Sequence, residues 1–218
     1  MTPSKEDYIK LIVELGGTHR IITNKEIADA MEVKAASVTD MNTRLVEEGL
    51  VDHVPYKGVR ATQKGHLLAS KLIRKHRIWE VFLYDKLGYS WDEVHTEADQ
   101  LEHTSSDRLT EALYQFLGEP QTDPHGGRIP DLDGLIDFSS KHLLVELEPG
   151  QIFTFKETMD EENLLKYLDA KKLVLNEKYQ VLSSNPYDGQ ITIQNHKQEE
   201  ISISQEAAEN IYVVTEKS

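Results

Sequence analysis

Thr23-Asn-Lys-Glu26-Ile-Ala-Asp-Ala-Met31, a break at Glu32-Val33-Lys34, then Ala35-Ala-Ser37-Val38-Thr39-Asp40-Met41-Asn42-Thr43-Arg44-Leu45-Val46 decide the fold of the first third of this chain. Thr23 followed three residues later by Glu26 has the form of a capping box, in which each side chain satisfies the other's free backbone N–H, so a short helix starts there. The second segment carries Val38, Met41, Leu45 and Val46 at helical spacing as a buried stripe, and Gly49 ends it. Upstream, apolar residues at 8, 9, 11, 12, 13 and 15 make an amphipathic helix stopped by Gly16-Gly17. A first helix and then two short ones joined by a tight turn form a helix-turn-helix pattern. Behind it, Leu50 to Thr62 reads as two short strands turning near Lys57-Gly58, which makes the unit a winged helix.

If DNA is the ligand, the second helix of the pair enters the major groove by its N-terminal end. The residues expected to be exposed there are Lys34, Ser37, Thr39, Asp40, Asn42 and Thr43, short polar groups suited to base edges and phosphates, while Lys57 and Arg60 on the wing would neutralise phosphates. The 218-residue chain has a net charge of −14, which at first argues against nucleic acid. The distribution of that charge points the other way. Residues 1–75 hold 12 of the 24 basic groups and 10 of the 38 acidic ones, a balance of +2; the remainder holds 12 and 28, a balance of −16. So few cations predict modest non-specific affinity and a shallow salt dependence, and a head of this kind needs a dimer to bind tightly.

Outward from the head, Leu67, Leu68, Leu72, Ile73, Ile78, Trp79, Phe82 and Leu83 continue one long helix that Gly88 ends. Shorter helices follow over about residues 90–103 and 105–117, then a turn-rich loop, Pro120 to Pro130. After Pro149-Gly150 the texture changes to short β-prone runs at 152–155, 179–182, 190–193, 201–203 and 211–214, with a helix-like insert at 161–171, as in a small β-barrel or SH3-like module. The expected class is α+β: a winged helix-turn-helix over 1–73, a helical dimerisation and metal-binding domain over 74–146, and an SH3-like domain over 147–218. With no cysteine, disulfides and thiolate zinc sites are excluded. No secretory signal or membrane-spanning run is visible, and a cytoplasmic location is expected.

The chemistry sits on two helices. His76 and Glu80 lie one turn apart, and His95, Asp99, Glu102 and His103 fall within about 100° of helix circumference at about 100° per residue. A charged face turned to water is the bland alternative, but each histidine lies within a turn of a carboxylate on its own stripe. Imidazole and carboxylate donors without sulfur favour Mn²⁺ or Fe²⁺. Zinc suits the set less, because it takes fewer ligands in tetrahedral geometry.

The winged head, the Arg74-Lys75-His76-Arg77 run, the His95-x-x-x-Asp99-x-x-Glu102-His103 spacing and the Pro124-His125-Gly126-Gly127-x-Ile129-Pro130 loop resemble the diphtheria-toxin-repressor family over essentially the whole chain. The closer resemblance is to its manganese-responsive branch with a C-terminal SH3-like (FeoA-type) domain. The resemblance implies a regulatory metal site of Asp7, Asp99, Glu102 and His103, and a second site of His76, Glu80 and His95 completed from the C-terminal domain, where Asp160 is the first choice ahead of Glu157 and Glu161. It also implies a homodimer that represses metal-uptake genes by binding operator DNA when Mn²⁺ is present, with Fe²⁺ the next candidate and Zn²⁺ or Co²⁺ as substitutes in vitro. The iron-responsive relatives carry Met and Cys where Asp7 and Asp99 stand, so two hard ligands replace two soft ones. Another manganese-responsive subtype has a carboxylate one turn after the Asp7 position; Lys10 falls nearby instead, against a closely spaced two-ion site. The recognition helix opens with Lys34-Ala35-Ala36 where many relatives carry proline.

Two other function classes compete. A helical di-metal enzyme would use paired Glu-x-x-His motifs, and the chain has none beside its winged head. A winged-helix regulator of an organic ligand would bind DNA without metal. No enzyme activity and no membrane partner are expected.

Overall fold

The computed structural model describes residues 4–132, 134, 142–159 and 161–215. Two compact units form, one holding the chain up to His76 and the segment that begins at Pro130, the other holding Arg77–Ile129 and the chain from His142 onward.

The first unit is a winged helix. Helix α1 (Lys5–Glu14) starts at a capping box in which Ser4 and Asp7 exchange backbone hydrogen bonds, and α2 (Asn24–Ala30) starts at the Thr23–Glu26 box. Helix α3 (Ala35–Glu47) follows, and the wing is the antiparallel pair β1 (Val51–Val54) and β2 (Gly58–Ala61), in register Val51↔Ala61 to Val54↔Gly58. The turn needs Gly58: its φ is +137°, and a Cβ there would meet the Ile22 carbonyl oxygen at 2.0 Å. That close approach lets Ile22 form an isolated antiparallel bridge with Val59. Ile9, Ile12, Ile22, Ile27, Val38, Leu45 and Val59 form the core, joined by Ala69 and Ile73 of α4 (Gln63–Leu87). One residue of the expected stripe departs from it: Val46 is exposed, because the buried face of α3 runs through Val38, Asn42 and Leu45.

In the second unit, the end of α4 packs through Leu83 on Val94 and Ala98 of α5 (Val94–Thr104), and α6 (Asp107–Phe116) follows. The rest is a six-stranded antiparallel sheet in the order β3-β8-β4-β5-β6-β7: β3 (His142–Leu143), β4 (Ile152–Thr158), β5 (Lys178–Ser184), β6 (Ile191–Asn195), β7 (Glu200–Ile203) and β8 (Ile211–Thr215). Bulges at Phe155/Glu157 in the β4–β8 ladder and at Val181/Ser183 in the β5–β6 ladder are the device by which a short sheet is bent. Helix α7 (Glu162–Ala170) buries Leu164 and Leu168 with Phe153, Phe155, Val181, Ile193 and Val213; α8 (Gln205–Ala208) is a single turn before β8. All five β-prone runs are strands. The sheet also takes in His142–Leu143, a pair too short to carry an alternating pattern and upstream of the change in texture after Gly150.

Candidate metal centre

The apolar residues Val94, Ala98 and Leu101 face one way on α5 and pack around Leu83 of α4. Burying that stripe turns the neighbouring one, with His95, Asp99 and Glu102, toward the polar side of α4. Glu80 on α4 is fully buried, and its Oε1 lies 3.8 Å from His95 Nδ1. His95 Nε2 is 3.8 Å from Asp99 Oδ2, and one turn on His103 Nε2 is 3.4 Å from Glu102 Oε1. Asp99 also brings a donor atom within 4.8 Å of Glu102, so the α5 donors form one row from His95 through Asp99 and Glu102 to His103.

A separate group comes from the loop 122–129, whose ends are bridged through Thr122 and Arg128. His125 is 2% exposed and places Nδ1 3.5 Å from Glu80 Oε1. Its other ring nitrogen, Nε2, lies 2.8 Å from the Trp91 carbonyl, which can only accept, so Nε2 carries a proton, and in the neutral imidazole Nδ1 then presents a lone pair. Asp123 is fixed just as firmly: Oδ1 accepts the backbone N–H of His125 (2.7 Å) and of Gly127 (2.9 Å), and Oδ2 is 3.1 Å from Arg77 Nε. Glu80, Asp123 and His125 each bring one donor atom within 4.8 Å of the others. Hard ions hold their ligands at about 2.0–2.6 Å, so donor atoms about 3–5 Å apart can share one ion. With the ring neutral, a carboxylate oxygen facing the imidazole lone pair at 3.5 Å is a contact of two acceptors, which a cation between them makes favourable. The residues fit a divalent ion.

Sequence reasoning missed Asp123 and His125. They sit in an irregular loop where no period exists to align them with Glu80; the available signal was an Asp-x-His pair beside two glycines, a local turn in which the carboxylate caps the histidine's own N–H.

Asp7 and His76 belong to the first unit. Asp7 Oδ2 accepts the Ser4 N–H at 2.5 Å as the N3 member of its capping box. Lys10 is buried with Nζ 3.1 Å from His76 Nδ1. Asp160 lies outside the described residues.

Of the proposed DNA contacts, Lys34, Ser37, Thr39, Asp40, Thr43, Lys57 and Arg60 are exposed. Asn42 is not: it is 5% exposed, and its Nδ2 donates to Asn24 Oδ1 at 3.0 Å, joining α3 to α2. The expectation of an exposed Asn42 is corrected; it follows Val38 by one turn and shares the buried face. Tyr56, at the tip of the wing with φ +63°, is fully exposed.

A winged head followed by a helical unit rich in clustered metal donors and a small β-sheet defines the class of metal-responsive DNA-binding regulators. Three family models match in sequence: the iron-dependent repressor N-terminal DNA-binding domain over residues 1–59, the iron-dependent repressor metal-binding and dimerisation domain over 62–131, and the FeoA domain over 142–215. A solved manganese-dependent transcriptional repressor in complex with manganese superposes with a TM-score of 0.90 at 32% identity, over 98% of this chain and 100% of that one. ScaR with bound Cd²⁺ gives 0.87 at 39% identity, over 99% and 100%. The chain belongs to the iron-dependent repressor family. Among curated relatives, the iron-dependent repressor IdeR of Mycobacterium leprae is 31% identical over 140 residues, 64% of this chain and 60% of that protein, so the match spans less than two thirds of its length. Among the described residues no helix is long and apolar enough to cross a membrane.

Proposed function

We propose that the protein is a Mn²⁺-activated DNA-binding transcriptional repressor that works as a homodimer on operator DNA of metal-uptake genes. The observation that carries this reading is the set of His and carboxylate donors gathered around buried Glu80 and along α5, in a chain whose head is a winged helix. The donor set holds only oxygen and imidazole nitrogen, which supports Mn²⁺ ahead of Fe²⁺, with Zn²⁺ and Co²⁺ as stand-ins.

Asp7, Asp99, Glu102 and His103 are the proposed ligands of the regulatory ion. Glu80, Asp123 and His125 are proposed for the second, with His76, His95 and Asp160 as the further ligands the resemblance implies. A bound divalent ion supplies the positive charge that these carboxylates lack. The residues do the rest: Asp99, Glu102 and His103 are held by a packed helix, and Asp7 by the first turn of α1. Ligands drawn from both units tie head to body and so set the spacing of two recognition helices in the dimer, which must match half-sites on one face of DNA.

The test is an anisotropy titration of the protein onto DNA from upstream of its own gene, with Mn²⁺, Fe²⁺, Zn²⁺, Co²⁺ or chelator. A tightening of about 5–150-fold with Mn²⁺ is expected, and DNA must tighten Mn²⁺ binding by the same factor. Binding that is equally strong in chelator overturns the reading and favours an organic ligand.

A further inference from the structure

Trp91, in the loop between α4 and α5, grips the 122–129 loop at two successive residues. Its carbonyl accepts the His125 Nε2–H at 2.8 Å, and its indole Nε1–H donates to the Pro124 carbonyl at 2.9 Å. The indole and imidazole rings lie 5.5 Å apart at 38°, and the indole also packs against the apolar cluster of the β-sheet. From the other side, Asp123 holds the backbone N–H of His125 and Gly127. The same loop meets β4 directly: the Thr158 N–H donates to the His125 carbonyl at 3.2 Å. Gly126, at φ +86°, comes so near that a Cβ would lie 2.0 Å from the Lys156 carbonyl oxygen.

We propose that Trp91 is the positioning residue of the Glu80–Asp123–His125 centre, holding the His125 ring in the tautomer and orientation that turn Nδ1 toward the ion, and fastening that ring to the sheet. The inference rests on these three side chains being metal ligands. A ligating histidine whose second nitrogen donates to a carbonyl is fixed in tautomer and made more basic, and loss of such a partner costs about 10–100-fold in metal affinity. A main-chain acceptor cannot be mutated away, but it stands where the indole puts it. Trp91→Phe keeps an aromatic ring and deletes only the grip on Pro124; Trp91→Ala deletes ring and grip together.

The experiment uses the full-length protein labelled with ¹⁵N-histidine. In the metal-free state at a pH above the imidazole range, long-range ¹H–¹⁵N spectra report each tautomer, and the signals missing from His125→Ala identify His125. Mn²⁺ uptake is followed by the EPR signal of the free ion. Wild type is expected to show His125 as the Nε2–H form and a second bound ion that His125→Ala loses. Trp91→Phe should weaken that ion about 10-fold and Trp91→Ala about 100-fold, with the first ion unchanged and His125 drifting to mixed tautomers. Equal Mn²⁺ uptake by wild type and His125→Ala removes the centre itself. If His125→Ala loses the ion while Trp91→Phe keeps wild-type affinity and tautomer, the centre stands and the role of Trp91 is overturned, whether or not Trp91→Ala folds.

Discussion

The donors of α5 and those of the 122–129 loop differ in what orders them. On α5 a regular helix spaces His95, Asp99, Glu102 and His103; Glu102 is buried, but the other three side chains stay partly open to solvent, 29% for His95, 52% for Asp99 and 28% for His103. In the loop, Asp123 and His125 are buried, and each is held by hydrogen bonds that reach across the fold to Arg77 and Trp91. A helical row of donors that is open to solvent on either side of one buried carboxylate can take up an ion and release it with little rearrangement, as a sensor requires. Buried donors locked by a loop suit an ion that stays and stiffens the unit.

Breaking one group at a time tests this division, and the largest effect is expected on α5. Glu102→Ala should remove nearly all of the about 5–150-fold metal stimulation of DNA binding, whereas His125→Ala should keep most of it and lose one bound ion. Anisotropy titrations with Mn²⁺ measure the first quantity and EPR the second. If His125→Ala silences DNA binding and Glu102→Ala does not, the roles are reversed.

The next effect separates the two kinds of order by stability. Gly126→Ala drives a Cβ into the Lys156 carbonyl oxygen from a left-handed backbone and should cost about 3 kcal/mol. Ala98→Gly, inside α5, loosens a helix without any clash and should cost about 1 kcal/mol before the small void it leaves. Urea unfolding of the metal-free variants checks both. Equal costs would mean the loop is no more rigidly specified than the helix.

The same contrast explains how much could be read from the residues alone. Winged head, long helix, α5 donor row and β-strands were legible because each has a period, a cap or a β-prone run: Thr23 with Glu26, the His95–Asp99–Glu102–His103 spacing, the short runs after Gly150. The pairing of Glu80 with His125 was not, since they stand 45 positions apart across an irregular loop and only the fold closes that distance. Asn42 misled for a related reason. A polar residue on a helix is read as exposed, but the phase set by Val38 and Leu45 buries it, and Asn24 supplies the hydrogen bond that makes the burial tolerable.

The head, which carries order of the helical kind without the proposed second-site ligands of the other unit, gives the smallest expected effects. Thr23→Ala removes the cap of α2 and should cost about 1 kcal/mol. Its partner Glu26 titrates at about 2 instead of 4.5, because the Thr23 backbone N–H, then Arg20 and the Thr23 hydroxyl, all donate to the carboxylate. The folded pKa is lowered, so the stabilisation is complete above about 4.5 and is lost as pH falls through about 2. Solvent reaches 37% of that side chain and screens it, which keeps the contribution below about 1 kcal/mol. Protection factors of the α2 amides, corrected for intrinsic exchange, should therefore fall further in the wild type than in Glu26→Gln as the pH drops from about 5 to about 3. Identical pH profiles in the two proteins would show that the box holds α2 by its geometry alone, without the charge on Glu26.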